Sequence, residues 1–355
     1  MRWATAMERS LYGPDGFFTR AGAEGPTGHF RTSVTASPLF AQGIGRLLRM
    51  VDAALGAPPR LDVVDIGAGR GELLTGILGG APPDLAARMN PVAVERARRP
   101  PGLPDAIRWA ARPPETITGL LLATEWLDNV PLDIAVLAAD GPRYVLVDAA
   151  GAERPGLPVE PEDAAWLAEW WSLPEAGVRA EIGRPRDEAW AETVGTLVRG
   201  LAVAVDYGHL RDGRPPLGTL TGYRLGRNVP PVPDGSGDLT AHVAMDAVAA
   251  ASARVAGRRP VLDTQRSALR QLGVDGGRPR LALASADPAG YLRRLARATA
   301  AAELTDPAGL GAHLWLIQPV GIDWPPERSG TGPEPPRGSL RDWCPDRPRS
   351  GWKEH

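Results

Sequence analysis

Two hydrophobic periods alternate along this chain. Near-continuous apolar runs stand at residues 61–66, 91–95, 107–109, 119–123 and 201–205. Runs of this kind belong to strands buried on both faces of a parallel sheet. Around them, apolar residues recur at helical spacing. From Pro38 onward Leu39, Phe40, Ile44, Leu47, Leu48, Val51 and Leu55 share one broad face, and Leu73, Leu74, Ile77 and Leu78 follow the first strand in the same way. Residues 259–263 and 312–318 supply two last strands, separated by helices that include 291–304. The alternation predicts an α/β protein with a doubly wound, Rossmann-like sheet.

Three departures from that alternation set the domain plan. Residues 1–60 are turn-rich and aromatic before their helix, and read as an N-terminal cap or lid with a leading helix. Residues 134–147 alternate around Asp140-Gly141, a hairpin signal, whereas 161–199, with Trp166, Trp170, Trp171 and Trp190, read as helical. The sheet domain then runs over 61–320, with insertions at about 132–200 and 209–256. From residue 321 the chain is rich in Pro, Gly, Arg and Asp without periodicity, the signature of a disordered tail.

The strand at 61–66 leads into Asp65-Ile66-Gly67-Ala68-Gly69-Arg70-Gly71 and then directly into a helical pattern. A strand, a glycine turn and a helix form a nucleotide-cofactor loop. A dinucleotide fingerprint would carry its third glycine at position 72, where this chain has Glu72. A carboxylate in the first helical turn opposes a pyrophosphate and is compatible with a zwitterionic, cationic ligand such as S-adenosylmethionine. Glu95 ends the second strand about 20 residues past the loop, where a carboxylate accepts hydrogen bonds from ribose hydroxyls. Trp109 or Ala110, after the third strand, falls near an adenine. The fourth strand runs into Thr124-Glu125-Trp126-Leu127-Asp128-Asn129-Val130-Pro131 at the crevice of a doubly wound sheet, so Glu125 and Asp128 face the reacting end of the cofactor. His209, after the fifth strand, reads as a polar loop residue.

Composition narrows the setting without changing it. The formal net charge is -2, and the basic residues are arginine except for Lys353. No basic stripe with interleaved aromatics marks a nucleic-acid partner. The single cysteine, Cys344, excludes an internal disulfide or a cysteine metal cluster. The N-terminal residues lack the apolar core of a signal peptide and no apolar run spans a bilayer. The expected location is cytoplasmic, and a homodimer is compatible with the sequence.

Six motifs stand in a telling order: Gly28-His29-Phe30-Arg31-Thr32-Ser33, Asp65 to Gly71, Thr124 to Pro131, Asp206-Tyr207-Gly208, Asp238-Leu239-Thr240-Ala241-His242-Val243 and Asp306-Pro307-Ala308-Gly309-Leu310-Gly311. From about Tyr12 to Gln318 the chain resembles the MidA-like methyltransferases, which include the mitochondrial assembly factor that methylates an arginine in a complex I subunit. The resemblance implies a class I methyltransferase fold, S-adenosylmethionine as methyl donor and a protein arginine as acceptor. It carries the cofactor loop onto Asp65, Gly67, Gly69 and Gly71, the acidic motif onto Glu125 and Asp128 as the catalytic pair, and places Thr32 and Ser33 in a loop that closes over the cofactor. The family usually has Asn at the position of Thr124, Asp at that of His29 and Pro at that of Val34, all on the acceptor side. The alternative from a different class is a non-catalytic, cofactor-binding assembly factor.

Overall fold

The computed structural model describes residues 1–20 and 32–325; Gly28 to Arg31 of the expected closing loop lie outside the described residues. In chain order the first strands are β1 (Leu61–Ile66), β2 (Met89–Val94), β3 (Arg108–Ala110) and β4 (Ile117–Thr124). An antiparallel insertion follows, β5 (Asp133–Ala138), β6 (Gly141–Val147), β7 (Glu153–Pro158) and β8 (Arg179–Ile182). The chain re-enters the main sheet at β9 (Leu197–Asp206). Five short strands come next: β10 (Gly208–His209), β11 (Thr221–Arg224), β12 (Arg227–Val229), β13 (Asp238–Thr240) and β14 (Val243–Ala244). The last two are β15 (Val261–Thr264) and β16 (Leu314–Val320).

Seven strands make the central sheet in the order β15-β16-β9-β4-β1-β2-β3. Neighbours from β3 to β9 are parallel, whereas β16 runs antiparallel to both β9 and β15. The continuous apolar runs have a direct cause in this arrangement. Val63, Leu120, Leu122 and Val203 point to one face, under the helices Pro38–Ala54, Glu72–Gly80, Gln265–Gln271 and Pro288–Leu304. Val64, Leu121, Ala202 and Ala204 point to the other, under the helices Arg184–Gly195 and Met245–Ala256. With both faces covered, a polar strand position without a partner costs free energy, which keeps most positions apolar.

Three parts differ from the sequence reading. The first sixty residues do not act as one cap. The helix Trp3–Tyr12 buries Trp3, Met7 and Leu11 against Leu132, Ile134, Val145 and Val147 of the insertion, and Arg2 pairs with Asp133 at 2.6 Å. Residues 161–199 are not purely helical, because β8 pairs with β5 between the helices Pro161–Trp170 and Arg184–Gly195. This strand, Arg179–Ile182, is too short for its period to be read apart from the flanking helices. Finally, order does not stop at residue 321: Ile322 and Trp324 are buried against the helix-covered core. These two apolar side chains interrupt the polar tail composition, and burying them fixes the chain as far as Pro325. Among the described residues, no helix is long and apolar enough to cross a membrane.

Candidate active site

β1 ends at Ile66, and the chain turns at Gly67 (φ +69°), Gly69 (φ +58°) and Gly71 (φ +81°) before the helix Glu72–Gly80. Left-handed values of this kind favour glycine. The back of the loop is packed: a Cβ on Gly67 would lie 2.7 Å from Trp126, and one on Gly71 would lie 2.6 Å from Leu103. Gly69 is different. The nearest atom to a Cβ there is Oε2 of Glu72 at 3.7 Å, so this is the open side against which a ligand can lie.

The hydrogen bonds of the loop say what kind of ligand that is. Gly67 and Ala68 N–H both donate to the Val94 carbonyl, and Gly71 N–H donates to the Ala68 carbonyl. Gly69 N–H donates to Glu95 Oε2 at 3.1 Å and Arg70 N–H to Glu72 Oε2 at 3.0 Å. A pyrophosphate is held by free backbone donors at such a turn, and here all five are engaged within the protein. The carboxylates of Asp65, Glu72 and Glu95 stand around them instead. Burial, and then the charges of Glu95 and Glu72, push the Asp65 pKa up to about 8. Electrostatically this is a site for a cation. Ile66 pairs with Val94, which brings the ends of β1 and β2, and with them Glu95, side by side. In β3, Trp109 donates from Nε1 to the Ala97 carbonyl at 3.0 Å.

On the other side of β1, Ile66 pairs with Ala123 of β4. The chain leaves β4 at Glu125 with φ +50°, a conformation that costs a non-glycine residue on the order of 1–3 kcal/mol and clusters at functional sites. Its N–H donates to the Val205 carbonyl at 2.7 Å, which holds the turn in place. The Glu125 carboxylate accepts the Ser33 backbone N–H at 2.7 Å on Oε1, and His313 Nδ1 lies 3.9 Å from the same oxygen. Burial, with a contribution from the Asp128 charge, pushes Glu125 up to about 7 in spite of the Ser33 hydrogen bonds. The adjoining Thr124 hydroxyl is buried without a hydrogen-bond partner.

The two cap residues have distinct places. Thr32 caps the short helix Ser33–Ala36, its hydroxyl accepting Thr35 N–H at 3.2 Å while its own N–H donates to the Thr35 hydroxyl at 3.0 Å. Ser33 is fully buried, and its hydroxyl lies 3.2 Å from Gln265 Oε1 and 3.4 Å from His313 Nδ1. It thus ties the cap to Glu125, to the helix Gln265–Gln271 and to the start of β16. Burial pulls the His313 pKa down to about 4, so its ring is neutral at ordinary pH.

Asp128 has different partners. Its Oδ2 accepts hydrogen bonds from the hydroxyls of Tyr207 and, at 2.6 Å, Thr240, whereas Oδ1 is buried without a partner. Asp206 and Asp238 are buried alongside, and burial raises the pKa of all three. The guanidinium of Arg186 is set among them, donating to the carbonyls of Asp128, Val130, Ala241 and His242. Glu125 and Asp128 therefore share one end of the sheet while facing different elements. Gln265, His313, Tyr207, Thr240 and Arg186 have no sequence signal as site residues, beyond the places of Tyr207 and Thr240 in the ordered motifs. His209 is not a loop-surface residue: it is buried, edge-on to Trp171, and Arg214 donates to its Nδ1 at 2.8 Å.

These acids give stability a definite pH dependence. Asp65, Glu125 and, through burial, Asp187 (about 7) have folded pKa values above their unfolded ones. A raised carboxyl pKa means the folded state holds more protons, so stability falls as pH rises toward the folded pKa. The buried histidines act oppositely, but only below their unfolded pKa of about 6.5. Between about pH 6.5 and 8.5 the acids act alone, and the melting temperature is expected to fall by at least ~2 °C. Asp65→Asn should flatten that slope; a melting temperature that rises over this range would show the carboxylates ionised in the fold.

A family model described as "Putative S-adenosyl-L-methionine-dependent methyltransferase" matches residues 44–261. The chain belongs to this family. Two crystal structures resemble this methyltransferase over most of their length. One is a Burkholderia thailandensis protein described as a "likely methyl transferase", bound to S-adenosyl-homocysteine; it is 27% identical, with TM-score 0.73, covering 91% of this chain and 88% of that one. The other is a native structure of a protein of the same superfamily from the same organism, 28% identical, with TM-score 0.72 and the same coverage. No match is found among curated proteins. S-adenosylmethionine is the cofactor of this methyltransferase, and its fold is class I-like, as the sequence resemblance implies.

Proposed function

We propose that this methyltransferase modifies an arginine side chain of a protein partner. The observation that supports the reading best is Glu125: a carboxylate with a pKa of about 7, placed beside the cofactor loop by left-handed backbone. Asp65, Glu95 and the backbone of Gly67 and Gly69 would hold S-adenosylmethionine, the open face at Gly69 and the charges of Glu95 and Glu72 fitting its cationic character. When bound, it supplies a methyl group on a positively charged sulfur.

The residues of the chain have the remaining work. A guanidinium stays protonated in water, its pKa being above about 12. Ionised Glu125 binds that cation through charge-assisted hydrogen bonds and accepts a proton from the nitrogen that is methylated. Among the described residues, hydrogen bonds to this carboxylate come only from Ser33, so it retains capacity for an acceptor. Asp128 acts behind it, as a positioning residue that anchors the turn to Tyr207 and Thr240 and disfavours ionisation of Glu125 until a cation arrives.

The test is transfer of isotope-labelled methyl groups from S-adenosylmethionine into a native lysate, followed by mass spectrometry of the labelled peptides. Label on arginine is expected. Label confined to another residue type would sink the acceptor assignment, and no label in any protein would favour a cofactor-binding assembly role.

A further inference from the structure

Away from the glycine loop, residues 275–286 and the helix Pro288–Leu304 enclose an open cavity of about 610 Å³. Arg278, Arg280, Arg294 and Arg297 line it, against a single carboxylate, Asp275. Among the described residues none of these four arginines forms an ion pair; Arg297 donates to the neutral Gln42 at 2.9 Å. Arg46 lies close enough that Arg297 and Arg49, after burial, depress its pKa. Between the arginines the floor is apolar, with Pro279, Leu283 and Ala298. In a chain of net charge -2, this is, among the described residues, a local concentration of positive charge without ion-pair partners over an apolar base. The helix that carries Arg294 and Arg297 also packs against Ser33–Ala36, whose first residue holds Glu125.

We infer that this cavity docks an acidic segment of the partner protein, its carboxylates on the arginines and an apolar side chain on the floor. Planar guanidinium groups match carboxylates bidentately, and the apolar floor gives a peptide side chain somewhere to go. Nucleic acid fits less well, because among the described residues no aromatic side chain lines the cavity to stack a base. The inference rests on the acceptor being a protein, but not on which residue of it is methylated.

The test is direct binding, independent of methyl transfer. A short fluorescent peptide of alternating Glu and Leu is titrated with the full chain and followed by anisotropy, with a single-stranded oligonucleotide and inorganic phosphate as competitors. The comparison is the triple variant R278Q/R280Q/R294Q; all three side chains are exposed, so the fold is retained, and unchanged S-adenosylmethionine affinity verifies this. Peptide binding should weaken at least ~10-fold in the variant and weaken with added salt. Absence of peptide binding, equal affinity in the variant, or displacement of the peptide by the oligonucleotide at lower concentration than by unlabelled peptide would each overturn the inference.

Discussion

Glu125→Gln is expected to lower methyl transfer by at least ~10²-fold, the scale of losing a positioned acid–base group, while S-adenosylmethionine affinity stays nearly constant. The exchange is nearly isosteric. A Gln Oε1 can still accept the Ser33 N–H, so the cap remains tied to the turn. Lost are the negative charge and the ability to take a proton that the proposed mechanism asks of Glu125. In the unaltered enzyme kcat/KM should rise with pH through about 7, as the free carboxyl ionises, and the variant should show no such rise. Steady-state kinetics against pH, with calorimetry for the cofactor, decide the matter. Parallel losses of affinity and turnover would show that Glu125 serves the cofactor or the fold rather than the acceptor.

Gly69→Val should abolish cofactor binding in practical terms, with a loss of at least ~10²-fold in affinity. Substitutions at Gly67 or Gly71 are poor probes, because a Cβ at either would strike Trp126 or Leu103 and disturb packing as well as binding. Gly69 separates the two effects. Its Cβ would enter open space, where the ligand must lie, and its φ of +58° adds strain of roughly 1–2 kcal/mol for an L side chain. The folded protein should survive with a modest fall in melting temperature and give no calorimetric signal with S-adenosylmethionine. Wild-type affinity in the variant would mean the ligand approaches from elsewhere, and heat from NAD in the parent protein would contradict the charge argument at the loop.

The sheet was legible because its chemistry is periodic and local. Val63 and Val64, or Leu120 and Leu121, must both be apolar if both faces are covered, and that pattern survives without any knowledge of partners. The cofactor loop was legible for a similar reason: three glycines after a strand and a glutamate at position 72 are adjacent in the chain. What surrounds Glu125 was not. Ser33, Gln265 and His313 come from three distant segments, and nothing in their neighbours marks a serine, a glutamine and a histidine as parts of one network. Arg186 is hidden by its own type, since an arginine in a helix reads as surface until four carbonyls are found around its guanidinium. The helix Trp3–Tyr12 was obscured by length, offering fewer than three turns of apolar face for a partner sheet that begins with Asp133.

β16 lies between β9 and β15, and His313 immediately precedes it. A nascent chain that has left the ribosome only as far as Ala312 already contains the whole cofactor loop. It lacks, however, the strand that covers the long apolar edge of β9 and the imidazole that stands beside Glu125. Pairing of β16 with β9 closes a very large loop, the kind of contact that forms late and slowly. Until then the unpaired edge of β9 is open to other chains, so the vulnerable period for aggregation coincides with the period before His313 stands beside Glu125. Insertion of one interior strand thus completes the sheet and the surroundings of Glu125 in the same event.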